Sequence, residues 1–298
     1  MLKHLSGLVI CLLMPFSLYA GNSQHIEQLE QIYLSIQNQR INLLPEQAIH
    51  IQSSVNKNRL HADVYAVKKI AFHELVNKIN RPEQWCRFIT LHLNIKACVY
   101  QLEPDEVLSF FAGRKFYEPA ENAFELSYQF KINTLTDNYF ELQLTAAEGP
   151  ISTRDYQIKL EVLKTNNDVL LHMSLSYLSS FTSRLGTSVY LSTIGADKVG
   201  FSQVKNETEE MEYVKGIEGI IERNVMRYFL ALSVYLENGD QQQMVKNWFD
   251  ATEQYTRQLH EVEKQDYLQA KQQEYQQQAE MQQRVNSKQP TLKSFDDE

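Results

Sequence analysis

The sequence lacks the short motifs that would assign it to a familiar enzyme class. It contains no G-x-S-x-G elbow, no P-loop, no G-x-G-x-x-G loop and no H-E-x-x-H metal motif. Its histidines are scattered without the spacing of metal ligands, so no metal or other cofactor is expected. Basic blocks are also missing and the formal net charge is −8, so nucleic acid is not an expected partner.

Long apolar runs are equally scarce, and the strongest one lies in the first twenty residues, "MLKHLSGLVICLLMPFSLYA". Its apolar core from Leu5 to Leu13 is shorter than the roughly 20 residues that a membrane span needs. Lys3 before the core and Pro15 after it indicate a secretory signal peptide, cut after Ala20. We therefore expect a periplasmic or secreted protein of a Gram-negative bacterium, with no transmembrane segment once the peptide is removed.

Cysteine is rare, with three in the chain, and Cys11 is expected to leave with the signal peptide. An oxidising compartment favours a disulfide between Cys86 and Cys98, although two separate buried thiols are the alternative. A continuous helix from residue 86 to residue 98 would hold the sulfurs too far apart, because it rises about 1.5 Å per residue. A bridge therefore requires a turn near Asn94.

The clearest pattern is the alternation of apolar and polar residues between Ala123 and Tyr177, which predicts four half-buried strands. The apolar positions are Phe124, Leu126, Tyr128, Phe130 and Ile132; Phe140, Leu142, Leu144 and Ala146; Tyr156, Ile158, Leu160 and Val162; and Val169, Leu171, Met173, Leu175 and Tyr177. The connectors are short, so consecutive strands form an antiparallel meander with one apolar face.

Weaker patterns on both sides of the meander predict an α+β fold. They indicate a helix over 25–37, a strand over 60–66, helices over 71–79 and from Pro82, a strand over 97–102, a short helix over 183–195, a last strand over 197–204 and a long helix over 213–238. The result is a sheet of about seven antiparallel strands with extra helices at both ends. The long helix is expected to cover the apolar face.

The long helix carries charged residues inside an otherwise apolar sequence. At about 100° per residue its apolar positions share one arc, with Asn224 near the middle of that arc. The glutamates Glu218 and Glu222 share a second face, and Arg223 and Arg227 share a third. Glutamate and arginine are not spaced three or four residues apart, so their partners must lie elsewhere in the protein, in water or in a ligand.

Two hypotheses account for these groups. Arg223, Arg227 and the glutamates pair with sheet residues such as Glu148, Arg154 or Asp155 and fix the helix on the sheet. Alternatively, these arginines, with Arg114 and Lys115 of "FAGRKFYEPAE", bind an anionic head group at the mouth of a cavity, while Asn224 and tyrosines face its interior. The structural hypothesis is favoured for the charges, whereas the buried amide of Asn224 needs a partner in either case.

The C-terminal region changes character near Leu268. Before it, Val245, Trp248, Phe249, Thr252, Tyr255, Leu259 and Val262 keep a helical spacing that would cover the far side of the long helix. After it, "QAKQQEYQQQAEMQQR" is helical in composition but weakly apolar, and we expect a helix that projects into solvent. Disorder is expected from Ser287, and recruitment of a protein partner by the Gln-rich helix is an alternative role.

The order of elements resembles the helix-grip fold of the START-like, Bet v 1-like superfamily (SRPBCC) over roughly residues 58–238. The blocks "ADVYA", "WCRFITLHLNIKAC", "AEGPISTRDY" and "KGIEGIIERNVMRYFLAL" resemble those of an uncharacterised family of exported proteobacterial proteins. The resemblance implies an apolar or lipid-like molecule held between the sheet and the long helix. It carries over no catalytic residues.

We predict the following division of the chain: signal peptide 1–20, N-terminal helix and connector 21–57, helix-grip domain 58–238, C-terminal helical extension 239–286 and disordered tail 287–298. The first functional hypothesis is non-catalytic binding of an apolar or amphipathic small molecule. The predicted ligand-binding residues are Asn224, Tyr228, Arg223, Arg227, Glu222, Tyr128 and Arg114. The alternatives are a cyclase or hydratase using Asn224, a tyrosine and a glutamate, and an envelope interaction protein with a solid core. A gap below about 300 Å³ between sheet and helix would exclude binding and catalysis.

Overall fold

The computed structural model describes residues 17–41, 43–44, 48–179, 198–237 and 239–288. In chain order the elements are α1 (Ser17–Gln37), β1 (Ile49–Asn56), β2 (Arg59–Lys68), α2 (Phe72–Asn77), α3 (Pro82–Ile89), β3 (Ile95–Gln101), β4 (Val107–Ala112), β5 (Phe124–Leu135), β6 (Tyr139–Glu148), β7 (Arg154–Lys164), β8 (Val169–Leu178), β9 (Gln203–Lys205), β10 (Met211–Tyr213), α4 (Gly216–Glu237), α5 (Gln241–Glu253), α6 (Thr256–Leu259) and α7 (Lys264–Lys288). Short 3-10 helices, Ala120–Asn122 and Pro150–Ser152, flank β5 and β7.

The main sheet has eight antiparallel strands in the order β1-β2-β8-β7-β6-β5-β4-β3. Alternation along each strand directs Leu160 and Met173 to an inner face that shares its core with α4. The outer face has a smaller second core, where Leu29 and Ile36 of α1 pack against Leu163 and neighbouring residues. The fold class is therefore α+β with a helix-grip arrangement, as the sequence predicted.

The meander is confirmed as β5 to β8, and the strand over 60–66 is confirmed as β2. Two strands of the main sheet, β1 and β4, were not predicted. The last predicted strand, over 197–204, is wrong: only Gln203–Lys205 is a strand there, and it pairs with β10 in a separate two-stranded sheet. The helix predicted over 183–195 lies outside the described residues, and the domain boundaries remain predictions.

The disulfide between Cys86 and Cys98 is confirmed, with the two Cα atoms 5.1 Å apart. The chain turns between the end of α3 and the start of β3, as the bridge required. Asn94 fixes this turn to the end of β4. Its side-chain amide donates to Gly113 O at 2.7 Å, and its main-chain carbonyl accepts from Gly113 N–H at 2.7 Å. The turn carries His92 to the inner side of the sheet.

The C-terminal helix α7 does not project into solvent as predicted; it lies along the edge strand β3. The Gln278 amide oxygen accepts from Cys98 N–H at 2.8 Å. The Gln282 amide accepts from Tyr100 N–H at 2.9 Å and donates to Tyr100 O at 2.9 Å. The prediction failed because it counted only apolar surface, whereas this helix docks largely through polar contacts.

Buried charges fasten the same helix further along. Glu274 accepts from Lys96 at 2.9 Å and from Lys271 at 2.7 Å, and all three side chains are buried. Lys96 also donates to the main-chain carbonyls of Leu93 and Phe116. Lys271 also donates to those of His92 and Ile95. Every charge therefore has partners, which a buried ionic group needs.

Helix α5 covers the far side of α4, as the spacing predicted. Val245, Trp248, Phe249 and Thr252 are buried there, and Trp248 Nε1–H donates to Arg227 O at 3.1 Å.

Among the described helices, none combines the length and apolar character needed to cross a membrane.

Candidate functional site

Two adjoining spaces lie between the inner face of the sheet and α4. Their volumes are about 750 Å³ and about 390 Å³. Residues that line both are Asn94, Pro150, Ile151, Tyr156, Tyr177 and Asn224. Apolar side chains such as Phe110, Leu126 and Leu175 form much of the larger wall. Both volumes exceed the 300 Å³ or so below which binding of a small molecule was to be excluded.

The cavity exists because α4 covers the sheet unevenly. The helix packs mainly on β2, and also on β1 and β8 at one side of the sheet. Leu60, Ala62 and Val64 of β2 share a continuous core with Ile221 and Val225 of α4. The larger space instead opens over residues of β4, β5, β7 and β8. One part of the inner face is thus a packed core, and the other is a wall.

Four polar side chains, two from the sheet and two from α4, lie in the wall of the larger space. Tyr128 of β5, Tyr177 of β8 and Tyr228 and Asn224 of α4 all line the larger space. Within the described part of the chain, the three hydroxyls and the amide make no hydrogen bond. A fifth group, the Tyr156 hydroxyl, is already paired with Thr153 Oγ1 at 2.9 Å.

The tyrosine hydroxyls stay protonated at ordinary pH. Burial raises the pKa of Tyr128, Tyr177 and Tyr228, and the nearness of other tyrosine hydroxyls in the same cavity adds to the rise. Each hydroxyl can therefore donate a hydrogen bond as well as accept one. The wall is polar at these points but not charged.

His92 adds a neutral imidazole to the lining of the larger space. Burial and the positive charges of four nearby side chains lower the pKa of His92 well below its usual value. Its Nδ1 accepts from Asn94 N–H at 3.1 Å, so the hydrogen-bond network assigns the proton to Nε2. That Nε2–H is buried and has no acceptor among the described residues. The ring packs against Tyr228, with centroids 4.6 Å apart.

The arginines of α4 have partners in other parts of the protein. Arg227 contacts Glu261 at 2.9 Å, and Lys115 contacts the other oxygen of Glu261 at 2.5 Å. Arg223 donates to Val199 O at 3.1 Å. These residues border the smaller space, but protein groups neutralise or accept from them. The geometry favours a structural role for these charges.

Glu222 lies outside the lining of both spaces. Its buried carboxylate accepts from Ser53 Oγ at 2.7 Å, from Phe201 N–H at 2.6 Å and from Ser202 N–H at 2.9 Å. A Cβ at Gly200 would lie 2.5 Å from a Glu222 oxygen, so only glycine allows this segment to approach the helix. Glu222 fixes that segment on α4.

The contacts described above join Arg223 to Val199, Arg227 to Glu261 and Glu222 to Phe201, whereas the expected partners were Glu148, Arg154 and Asp155 of the sheet. The charged faces of α4 turn instead toward the segment 198–202 and the segment between α6 and α7. Arg114 does line the larger space, and its largely exposed side chain lies 3.5 Å from Glu118.

The rim of the cavity includes exposed apolar side chains in an unusual backbone setting. Ile151 lines both spaces, is 71% exposed and has a φ of 54°. A β-branched residue at positive φ is a genuine outlier, and such strain costs of order 1–3 kcal/mol. Phe116, 58% exposed, lines the larger space as well. The strained apolar rim marks this opening as a candidate entrance.

No protein-family model matches the chain, and no curated protein is similar to it in sequence. Among solved structures it is similar to a STAR-related lipid transfer protein from Xanthomonas axonopodis, with 9% identity, a TM-score of 0.37, and coverage of 52% of this chain and 92% of that chain. It is also similar to human StAR-related lipid transfer protein 5, with 10% identity, a TM-score of 0.35, and coverage of 59% and 90%. Likenesses this distant concern the fold alone.

The START-like fold follows from the chain itself. Strand β2, two short helices, the six strands β3 to β8 and the long helix α4 succeed one another as in a helix-grip domain. Strand β1 and helices α1, α5, α6 and α7 are additions to it.

Sequence reasoning placed Asn224, Tyr128, Tyr228 and Arg114 at the cavity, and the structure brings them together there. It did not assign Tyr177, Tyr156 or His92. The signal was present for the two tyrosines, because both occupy inward positions of period-two strands, where a hydroxyl needs a partner. For His92 the sequence offers no comparable pattern.

Proposed function

We propose that the protein is an exported binding protein that holds an apolar or amphipathic small molecule between the sheet and α4. The observation that carries the proposal is the cavity of about 750 Å³, whose wall combines apolar side chains such as Phe110, Leu126 and Leu175 with polar groups. Small-molecule sites commonly have this size, and a mixed wall suits an amphipathic ligand. Export is supported by the character of the first twenty residues and by a disulfide between Cys86 and Cys98, which suits an oxidising compartment.

Binding accounts for the geometry better than the alternatives. The enzyme hypothesis used a glutamate as acid or base, but Glu222 of α4 is buried away from the cavity and held by four donors. Glu118 lines the larger space but accepts from Arg114 N–H at 3.1 Å and lies 3.5 Å from the Arg114 side chain. The solid-core hypothesis required a closed gap, and the gap is open. The Gln-rich helix was the proposed site for a protein partner, but some of its glutamine side chains are hydrogen-bonded to strand β3.

Native mass spectrometry of the protein purified from its own host tests this proposal. We expect a co-purifying small molecule, or uptake of one from a lipid extract by delipidated protein. Ala112→Phe supplies a matched variant, because Ala112 lines the larger space and a phenyl ring there would occupy part of it. Reduced uptake by that variant locates the ligand in the cavity. Protein that stays ligand-free after exposure to the extract would refute the proposal.

Export is tested separately by the mature N-terminus. Mass measurement of protein from the periplasm or medium should show a chain that begins at Gly21. An intact Met1 in a cytoplasmic fraction would contradict export and leave the binding proposal standing.

A further inference from the structure

The polar groups in the cavity wall are arranged unlike the other buried polar groups of the protein. Most buried polar atoms in proteins have hydrogen-bond partners. Here the hydroxyls of Tyr128, Tyr177 and Tyr228 and the amide of Asn224 have none within the described residues, although Tyr128 is only 2% exposed. These atoms face the open space of the cavity and are not among the fully buried atoms that lack a partner, so they are available to water or to a ligand. Several such groups in one cavity are best explained by a ligand that completes them.

Their chemistry limits what that ligand presents. A tyrosine hydroxyl and a side-chain amide are neutral groups, and both can donate a hydrogen bond. His92, in the same wall, is neutral too and carries its proton on the orphaned Nε2. The cation that lines the larger space, Arg114, has a largely exposed side chain that lies 3.5 Å from Glu118. Arg227 and Lys115 line the smaller space, where they share the carboxylate of Glu261. A bare anion within the tyrosine wall would therefore lack a dedicated counter-charge.

We infer that the ligand is an oxygenated apolar molecule with a neutral carbonyl or hydroxyl oxygen between the sheet and α4, selected by Tyr128, Tyr177 and Tyr228 with Asn224. This inference rests on the proposed binding function and adds the class of ligand. Water can satisfy such groups in an empty cavity, and a ligand that displaces water must replace its hydrogen bonds. A pure hydrocarbon of the same shape cannot do so.

Three probes with one ring skeleton test the inference: fluorene, 9-fluorenone and fluorene-9-carboxylate. Binding of each to the full mature chain is measured by isothermal titration calorimetry. We expect 9-fluorenone to bind at least tenfold more tightly than fluorene, since a site built to hydrogen-bond an oxygen discriminates against the analogue that lacks it. The carboxylate is expected to bind more weakly than the ketone.

The variant Tyr128→Phe/Tyr177→Phe/Tyr228→Phe keeps the rings and removes the hydroxyls. It should bind fluorene as the wild type does and lose the preference for 9-fluorenone. Tyr235→Phe is the matched control, because Tyr235 lies on α4 and packs against Phe88 outside the cavity lining. Thermal unfolding of each variant confirms that the fold is retained.

The outcomes separate the inference from the function on which it rests. Equal binding of fluorene and 9-fluorenone would overturn the inference while supporting an apolar binding function. Tighter binding of the carboxylate would replace the neutral ligand class with an anionic one. If none of the probes binds, and the native protein also takes up nothing from a lipid extract, both the inference and the binding function are rejected.

Discussion

The two faces of the sheet each carry a buried polar cluster, and the two clusters differ in how completely the protein satisfies them. On the inner face, three tyrosine hydroxyls and Asn224 lie in a cavity without hydrogen-bond partners among the described residues. On the outer face, Glu161, His172 and Asp63 form a continuous chain of contacts beneath α1. The polar side chains of the outer face therefore have hydrogen-bond partners within the protein, whereas those of the inner face remain available to hydrogen-bond a ligand or water.

The outer cluster alternates carboxylates with imidazoles across β7, β8 and β2. His172 Nδ1 lies 2.6 Å from Glu161, and its Nε2 lies 2.9 Å from Asp63. His25 of α1 reaches Glu161 at 2.5 Å, and His61 reaches Asp63 at 3.0 Å. Burial alone would raise the pKa of both carboxyls, but the histidine contacts outweigh it and hold the pKa of Asp63 and Glu161 below the usual range.

The difference teaches that burial of a polar group does not by itself indicate function. A histidine between two carboxylates suggests catalysis at first sight. Both of its nitrogens are occupied, however, and the Tyr65 ring stacks on it with centroids 4.2 Å apart. The cluster fixes α1 and the strands in place. On the inner face the hydroxyls and the amide face an open space without hydrogen-bond partners among the described residues, which the proposed ligand would supply.

The largest expected effect comes from breaking the outer cluster. Glu161→Ala removes the acceptor of four donors, namely His25, Tyr139, Lys159 and His172. Removing one partner from a buried charged network typically destabilises a protein by about 3–5 kcal/mol. The inner-face triple tyrosine-to-phenylalanine variant breaks no protein hydrogen bond, so it should lose less than about 1 kcal/mol.

Urea unfolding followed by tryptophan fluorescence measures both changes. The comparison between the faces fails if the triple variant loses as much stability as Glu161→Ala.

A second test extends the comparison to the edge of the sheet. Gln278→Ala with Gln282→Ala removes the amide contacts to Cys98 and Tyr100 of β3. Each of the three lost hydrogen bonds contributes about 0.5–1.5 kcal/mol, so we expect a loss of roughly 1.5–4.5 kcal/mol. The control is Gln273→Ala with Gln283→Ala, two exposed positions of the same helix. Equal urea midpoints for the two double variants would mean that the edge contacts contribute nothing.

A third test uses the opposite pKa shifts of two histidines. Burial alone would lower the pKa of His172, but its two carboxylate partners outweigh burial and raise it above the ordinary 6.5. The folded state then holds a proton that the unfolded chain loses, so this contribution to stability is full below pH 6.5 and lost as the pH rises through the folded value. His92 has a lowered pKa, so it costs stability as the pH falls below 6.5.

We therefore expect His172→Gln to remove a decline in the free energy of unfolding above pH 6.5, and His92→Gln to remove a decline below it. Unfolding in urea across pH 5 to 8.5 measures both slopes, with wild type as reference. Variants with parallel pH profiles would show that the two environments do not differ as described.

The smallest effect on stability is expected at Asn224. Its amide lines both spaces and makes no hydrogen bond within the described residues, so Asn224→Leu removes no hydrogen bond to those residues. We expect the free energy of unfolding to stay the same or rise by up to about 1 kcal/mol, while binding of 9-fluorenone weakens. A loss of several kcal/mol would instead make Asn224 a structural residue and remove it from the inner cluster.

Much of this fold follows from periodicity, and the exceptions have physical causes. Strands β5 and β6 alternate clearly because one face is buried and the other is largely wet. Strand β8 keeps the alternation in its sequence although both of its faces are buried. Strand β4, "VLSFFA", is short and its apolar residues are adjacent, so alternation is weak there. Strand β1 keeps apolar residues only at its beginning and ends in exposed polar ones. Neither segment offers enough period-two positions to be distinguished from a loop.

The site was predictable only in part. Helical angle alone singled out Asn224, and strand register placed Tyr128 on the inner face. Whether a gap existed between sheet and helix depended on how α4 lies over β1, β2 and β8, which is a property of packing rather than of any local pattern. The docking of α7 could not be predicted from apolar periodicity either, because the helix binds β3 through glutamine amides.

The contact between α7 and β3 also orders events in time. Cys98 and Gln278 are 180 residues apart, and Tyr100 and Gln282 are 182 apart. During synthesis the chain must extend beyond Gln282 before these contacts can cover the β3 edge. Until then β3 presents unpaired main-chain groups to any neighbouring strand, a known route to aggregation. The β3 edge is therefore protected from association with another strand only once α7 has been made.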